Sequence, residues 1–150
     1  MSMNTTFNNA LPIAIGCDHA GFLYKENLKK ILEQKGWQVS DKGTFSDAST
    51  DYPDYAHAVA TMVEEGAAAA GILICGSGNG VCMTANKHQH IRAALAWTDE
   101  LAMLARQHNN ANVLCIPARF VDTHTAESMT ELFLNTAFEG GRHERRVEKI

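Results

Sequence analysis

Short, wholly apolar runs alternate along the chain with longer stretches whose apolar residues recur at helical spacing. Residues 12–16 predict a first buried strand, followed by a polar turn at Cys17, Asp18 and His19. From Phe22 to Lys35, the positions Phe22, Leu28, Ile31 and Leu32 share one helical face, and Gly36 is a suitable stop. Residues 37–39 alternate and predict a half-buried strand, before a turn-rich loop over 41–51. Pro53 opens a helix through Ala56, Val59, Ala60 and Val63 that Gly66 closes. Residues 71–75 are apolar throughout, as the middle of a parallel sheet requires. Gly76, Gly78 and Gly80 follow, then a helical run to Lys87. Further strands are predicted at 91–96 and 112–116, with a helix capped by Thr98 and another over 123–138. The tail from Glu139 to Arg146 reads as a polar, basic segment, and Met1 to Leu11 as a flexible polar extension.

Strict alternation of strand and helix predicts an α/β fold, a parallel sheet of five strands covered by helices on both faces. Right-handed crossovers then gather the C-terminal ends of all strands at one edge, where ligands of such sheets bind.

Composition narrows the class without changing that picture. At 150 residues, 45% hydrophobic and 20% charged, the chain suits one globular domain and excludes disorder, collagen and coiled coil. Thirteen basic against seventeen acidic side chains leave a net charge of −4, which argues against wrapping nucleic acid. No apolar run is long enough to predict a membrane span, and the N-terminus lacks the pattern of a secretory signal. Cys17, Cys75, Cys82 and Cys115 stand singly, with no CxxC pair to suggest zinc. Free thiols fit a cytoplasmic setting.

The strongest chemical signal is Cys75 followed by Gly76, Ser77, Gly78, Asn79 and Gly80. Three glycines between a buried strand and a helix free backbone amides for an anion, although a tight turn without ligand has the same composition. The spacing matches neither a dinucleotide nor an ATP loop. A thiol beside such amides is favoured as thiolate, whereas Cys82 and Cys115 read as core. Asp18 and His19 occupy the equivalent loop after the first strand, as a proton-transfer pair or as a capping Asp with a solvated His. His57, His88, His90 and His124 lie on polar stretches and read as solvated. His108 precedes the fifth strand and so belongs at the edge opposite Cys75, either solvated or serving a neighbouring chain's site. Arg142, Arg145 and Arg146, with His143, form a cationic cluster suited to phosphate or simply a charged tail. Arg119, just after the fifth strand, is a further anion candidate.

Gly16 to Phe22, Thr50 to Pro53, Ile74 to Gly80, Ala85 to Lys87, Arg106 to Asn109, Asn112 to Leu114 and Glu139 to His143 together resemble the ribose-5-phosphate isomerase type B family. The likeness runs in order from Ile13 to the C-terminus. It implies a Rossmann-like three-layer sandwich, a homodimer with sites shared between subunits (with or without pairing into tetramers), and isomerisation without metal or cofactor. The implied reaction interconverts D-ribose 5-phosphate and D-ribulose 5-phosphate in the pentose phosphate pathway. In it Cys75 would move the proton between C1 and C2, and His108 with Asp18 would open the furanose ring. Ser77 and the amides of Gly76, Gly78, Asn79 and Gly80 would hold the enediolate. His19, Arg119, Arg142 and Arg146 would bind phosphate, with Asn109 and Tyr52 at the sugar hydroxyls. Some members carry Thr where Ser77 stands, and another branch places a Glu base where this chain has Val81, which leaves Cys75 as the base candidate. Relatives of this fold act on galactose 6-phosphate or allose 6-phosphate, so a 6-phosphohexose is the alternative substrate. A non-catalytic sugar-phosphate sensor would keep the anion loop and arginines without needing Cys75. A Cys/His metal hydrolase would need Cys17, His19, Cys75 and His108 to converge, and their spacing fits no zinc pattern.

Overall fold

Side chains alternate across the strands so regularly that each face of the sheet has its own core. The computed structural model describes residues 7–150. Its strands are β1 (Ile13–Cys17), β2 (Val39–Asp41), β3 (Ala70–Cys75), β4 (Ala93–Leu95) and β5 (Val113–Pro117). Its helices are α1 (Phe22–Gln34), α2 (Tyr52–Glu64), α3 (Asn79–Ala85), α4 (Asp99–Gln107), α5 (Thr123–Asn135) and α6 (Arg142–Val147). All strand pairs are parallel, in the order β2-β1-β3-β5-β4. Ile13, Ile15, Ile72, Ile74, Leu114 and Ile116 meet α1, α4 and α5 on one face. Ala14, Leu73, Val113 and Cys115 meet α2 and α3 on the other. The predicted three-layer α/β sandwich is the observed one.

Boundaries differ where local hydrogen bonds compete. The second strand begins at Val39, not Trp37, because the Trp37 N–H bonds back to Leu32 and finishes the turn after α1. Before β4, the Arg92 N–H goes to the Asn112 side chain at 2.8 Å, so residues 91 and 92 are held as loop. α5 stops at Asn135 because Thr136 is extended. The tail, read as a plain segment, contains α6, a helix of six residues whose buried side is His143. Of the expected extension from Met1 to Leu11, residues 1–6 lie outside the described residues. Phe7 already packs, its ring 5.8 Å from that of Phe133.

Two buried cations went unread in the sequence. Arg106 lies under Phe7 and Phe133, and Lys25, fully buried, reaches Asp41 at 2.5 Å. Lys29 joins the same carboxylate oxygen at 2.7 Å, and the Gly43 N–H bonds its other oxygen. Burial works to raise the Asp41 pKa, but the hydrogen bonds from Lys25, Lys29 and Gly43 outweigh it and hold the carboxyl below its ordinary 3.8. This cluster ties α1 to the end of β2, next to the loop that leads to Tyr52.

Asp41→Asn should therefore destabilise the protein by roughly 3–5 kcal/mol, because it strands the Lys25 ammonium. Urea unfolding at neutral pH measures it, and adding Lys25→Met should recover most of the loss. In the wild type, with a depressed folded-state pKa, the contribution is complete above the ordinary 3.8 and lost as pH falls through the lower folded value.

Candidate active site

Helices change faces between β1 and β3: α1 leaves over one side and α3 over the other, which opens a crevice at the strands' C-terminal ends. Asp18 and Cys75, each just at or beyond a strand end, line this pocket of about 390 Å³ together with Gly76, Ser77 and Arg119. Tyr52, Gly80 and Phe120 complete the wall.

Strand pairing continues past β3 and β5 and places Arg119. The Ala118 N–H bonds the Cys75 carbonyl at 2.9 Å and the Arg119 N–H bonds that of Gly76 at 3.0 Å. The Arg119 guanidinium then crosses Gly76, where an added Cβ would sit 3.2 Å from Nη1. Gly80 has a tighter reason to lack a side chain, since its Cβ would lie 2.4 Å from the Tyr52 ring. Gly78, at φ +75°, occupies a left-handed conformation that turns the chain from β3 into α3. Among the described residues, the amides of Ser77, Gly78 and Gly80 have no acceptor within the chain. The Asn79 amide instead bonds Ser77 Oγ at 3.2 Å. Gly78 and Asn79 do not line the pocket.

Asp18 is both cap and pocket residue. Its Oδ1 accepts from the Ala20 and Gly21 amides at 2.9 and 3.3 Å, so the capping bonds all fall on one oxygen. His19 is oriented by its Nδ1, which accepts the Thr50 N–H at 3.2 Å and leaves Nε2 to carry the hydrogen. Thr50 Oγ1 is in turn 2.8 Å from the Tyr55 hydroxyl. Sequence reasoning assigned no role to Thr50, Tyr55 or Phe120, and a bond between residues 31 positions apart leaves no local signal.

Cys17, Cys82 and Cys115 separate by environment. Burial pushes Cys17 up to about 12, and burial drives the fully buried Cys115 well above its usual range. Cys82, expected in the core, is only half-buried and donates to the Ala93 carbonyl at 3.4 Å. A hydrogen bond with Cys115 lowers its pKa. His57 and His88, expected as solvated and unpartnered, bond each other at 2.7 Å, with Glu64 3.5 Å from His88.

His108, Asn109, Arg142 and Arg146 are not in the Cys75 pocket. They lie at the opposite edge, where α4 and α5 deliver the chain back to the strands' N-terminal ends. Asn109 borders a larger cavity there, about 530 Å³, with Asn86, His88 and Arg92. On α6, Arg145 follows Arg142 by three positions and so shares its exposed side with Arg142 and Arg146. His108, Glu139 and His143 offer ligand atoms within 4.8 Å of one another. A ligated ion must lie in the plane of each imidazole, and these rings are nearly parallel, 10° apart at 4.2 Å, so they do not converge on one ion.

A doubly wound parallel sheet with a thiol, a hydroxyl, a carboxylate and a guanidinium around a glycine turn with free amides defines an α/β protein whose pocket suits a small anionic metabolite. The chain belongs to the Ribose/Galactose Isomerase family, whose model matches residues 13–150. It is 46% identical over 138 residues to ribose-5-phosphate isomerase B of Escherichia coli K12, covering 92% of this chain and 93% of that protein. Its fold is that of the Thermotoga maritima ribose 5-phosphate isomerase, at a TM-score of 0.90 and 47% identity over 93% of this chain and 96% of that one. The Mycoplasma genitalium enzyme with bound ribulose-5-phosphate matches at a TM-score of 0.89 and 44% identity, over 95% of both chains.

Alkylation of the native protein near pH 8 should label Cys82 and leave Cys17 and Cys115 untouched, because a thiol held that high offers almost no thiolate. Peptide mapping by mass spectrometry after brief exposure to iodoacetamide checks it; modified Cys17 in folded protein would contradict its environment.

Proposed function

We propose that the chain interconverts D-ribose 5-phosphate and D-ribulose 5-phosphate as one isomerase domain, in the cytoplasm and within the pentose phosphate pathway. The observation that carries this reading is one pocket containing Cys75, Ser77, Asp18 and Arg119, in a chain of the isomerase family. In the open-chain aldose, the Cys75 thiolate takes the hydrogen from C2, and the electrons move onto O1 as an enediolate. The same sulfur returns the proton to C1, while the O2 proton passes to O1. Charge builds on O1 and O2, where the Ser77 hydroxyl and the free amides of the Gly76–Gly80 turn stabilise it. Asp18 faces the same oxygens. Arg119 and His19 hold the phosphate, and Tyr52 closes over the sugar. The free thiols agree with this setting.

Ring opening and the remaining phosphate contacts need His108, Asn109, Arg142 and Arg146, which stand at the far edge of the same sheet. A two-fold dimer supplies them: each subunit's far edge covers the partner's Cys75 pocket, and two identical sites result.

Cys75→Ala should cut isomerisation of ribose 5-phosphate by roughly 10²–10⁴-fold, the usual contribution of a proton-transferring group. Substrate binding should persist, because the thiol acts on the transition state. Near-normal turnover in this variant would exclude Cys75 as the base.

The shared site has its own test. Cys75→Ala and His108→Ala proteins, each inactive, are mixed under conditions that exchange subunits. A mixed dimer carries both lesions in one site and none in the other. With half the dimers mixed, about a quarter of wild-type activity should return by symmetry alone. Mass spectrometry of tagged chains confirms exchange, and mixed dimers without recovered activity would refute sharing.

A further inference from the structure

Three segments meet around His108, and each is fastened there by bonds the proposed reaction does not itself require. His108 ends α4, its N–H bonded to the Leu104 carbonyl at 2.9 Å. The Glu139 N–H bonds the Gln107 carbonyl at 3.0 Å, which ties the chain after α5 to the residue before His108. From within, the buried Arg106 bonds the Thr136 carbonyl and Asn110 Oδ1, each at 3.1 Å, and also the Ala111 carbonyl. Gly140 and Gly141, at φ +70° and +58°, then reverse the chain into α6. The reversal lays His143 on His108, ring centroids 4.2 Å apart and 10° from parallel. Nε2 of each ring is 3.5 Å from the same oxygen of Glu139.

Two imidazoles stacked this closely do not both hold a proton cheaply, and the surroundings decide which one gives way. Burial, followed by the charges of His108 and Arg142, holds His143 below its usual 6.5. His143 is the more enclosed ring, its side chain 10% exposed against 40% for His108. The charged groups facing the pair are Glu139 from the loop, and Arg142 and Arg146 from α6. α4 adds none, since Arg106 is turned into the core. The carboxylate therefore serves the outer ring, and the inner ring serves as a neutral platform.

We propose that Glu139 and His143 are positioning residues for His108: His143 fixes the imidazole's plane and Glu139 its tilt and proton. The assignment rests on the reading of His108 as the ring-opening acid. In that step His108 gives an imidazole proton to the ring oxygen as the C1–O4 bond breaks and its electron pair passes to O4. The C1 hydroxyl yields its proton to Asp18 and becomes the aldehyde. Neither Glu139 nor His143 touches the sugar.

Glu139→Gln, Glu139→Asp and His143→Phe are compared with His108→Ala, using ribose 5-phosphate across about pH 5 to 9, the range in which histidine changes charge. Glu139→Gln should lower kcat roughly tenfold, less than the ~10²–10⁴-fold that losing a general acid costs, with KM unchanged. Its pH profile of kcat should differ from that of the wild type, because a carboxylate facing the ring has become a neutral amide. Glu139→Asp should restore part of kcat, and His143→Phe, which keeps the stacked ring, should stay within a few-fold of wild type by the same scale. A raised KM with kcat intact would place these side chains on the substrate and overturn the proposal, as would wild-type kcat and pH profile in Glu139→Gln. Should that variant fold poorly, the imidazole 1H–15N spectrum of Glu139→Asp decides: shifted His108 signals support the proposal, and unchanged ones overturn it. Wild-type activity in His108→Ala is a separate failure, that of the ring-opening assignment.

Discussion

A parallel sheet forces every strand to be entered from one edge and left from the other, and this constraint arranges the chemistry of the protein. Cys17, Cys75 and Pro117 end their strands together, so Asp18, the glycine turn and Arg119 fall into one pocket. The same rule sends His108 and Asn109 to the far edge, because α4 must carry the chain back to begin β5, and the bond from the Glu139 N–H to the Gln107 carbonyl brings the chain after α5 to the same place. Under the proposed reading, a second subunit related by a two-fold axis joins the Cys75 pocket of one chain to His108, Arg142 and Arg146 of the other.

Buried charge fixes the parts that the sheet leaves free. Lys25 and Asp41 join α1 to the end of β2 beside the loop that carries Thr50 and Tyr52. Arg106 does the equivalent at the far edge, where it gathers carbonyls from two loops beneath His108. Desolvation lowers its guanidinium pKa to about 10 while leaving it charged at neutral pH, and its bonds to carbonyls make it a strut. In both places an ion without a bulk-water shell is held by several chain segments at once, which gives loops a fixed shape without strand pairing.

The apolar alternation made the layers, the strand number and most helix ends legible, since period 2 and period 3.6 report directly on burial. Gly76 to Gly80 marked the turn from β3 into α3, because glycines directly after an all-apolar strand supply the left-handed conformation that such a turn needs. Where local hydrogen bonds compete for backbone groups, the expected boundaries moved: the Trp37 N–H finishes the turn after α1, and the Asn112 side chain claims the Arg92 amide. The six-residue α6 was too short to show a period of its own. The pairing of His57 with His88 and the hold of Thr50 on His19 are contacts between distant residues, invisible to any local pattern.

By itself, then, the sequence determined the α/β alternation, the glycine turn after Cys75, and the fact that His108 and Cys75 belong to opposite edges. These follow from periodicity, glycine's missing side chain and chain direction, all of which are local or topological. Only the tertiary structure decided that Arg119 crosses Gly76, that Cys17 and Cys115 are withdrawn as thiols while Cys82 is not, and that Glu139 and His143 close around His108. Each of those depends on distances and desolvation between segments far apart in the chain, and neither exists until the segments pack.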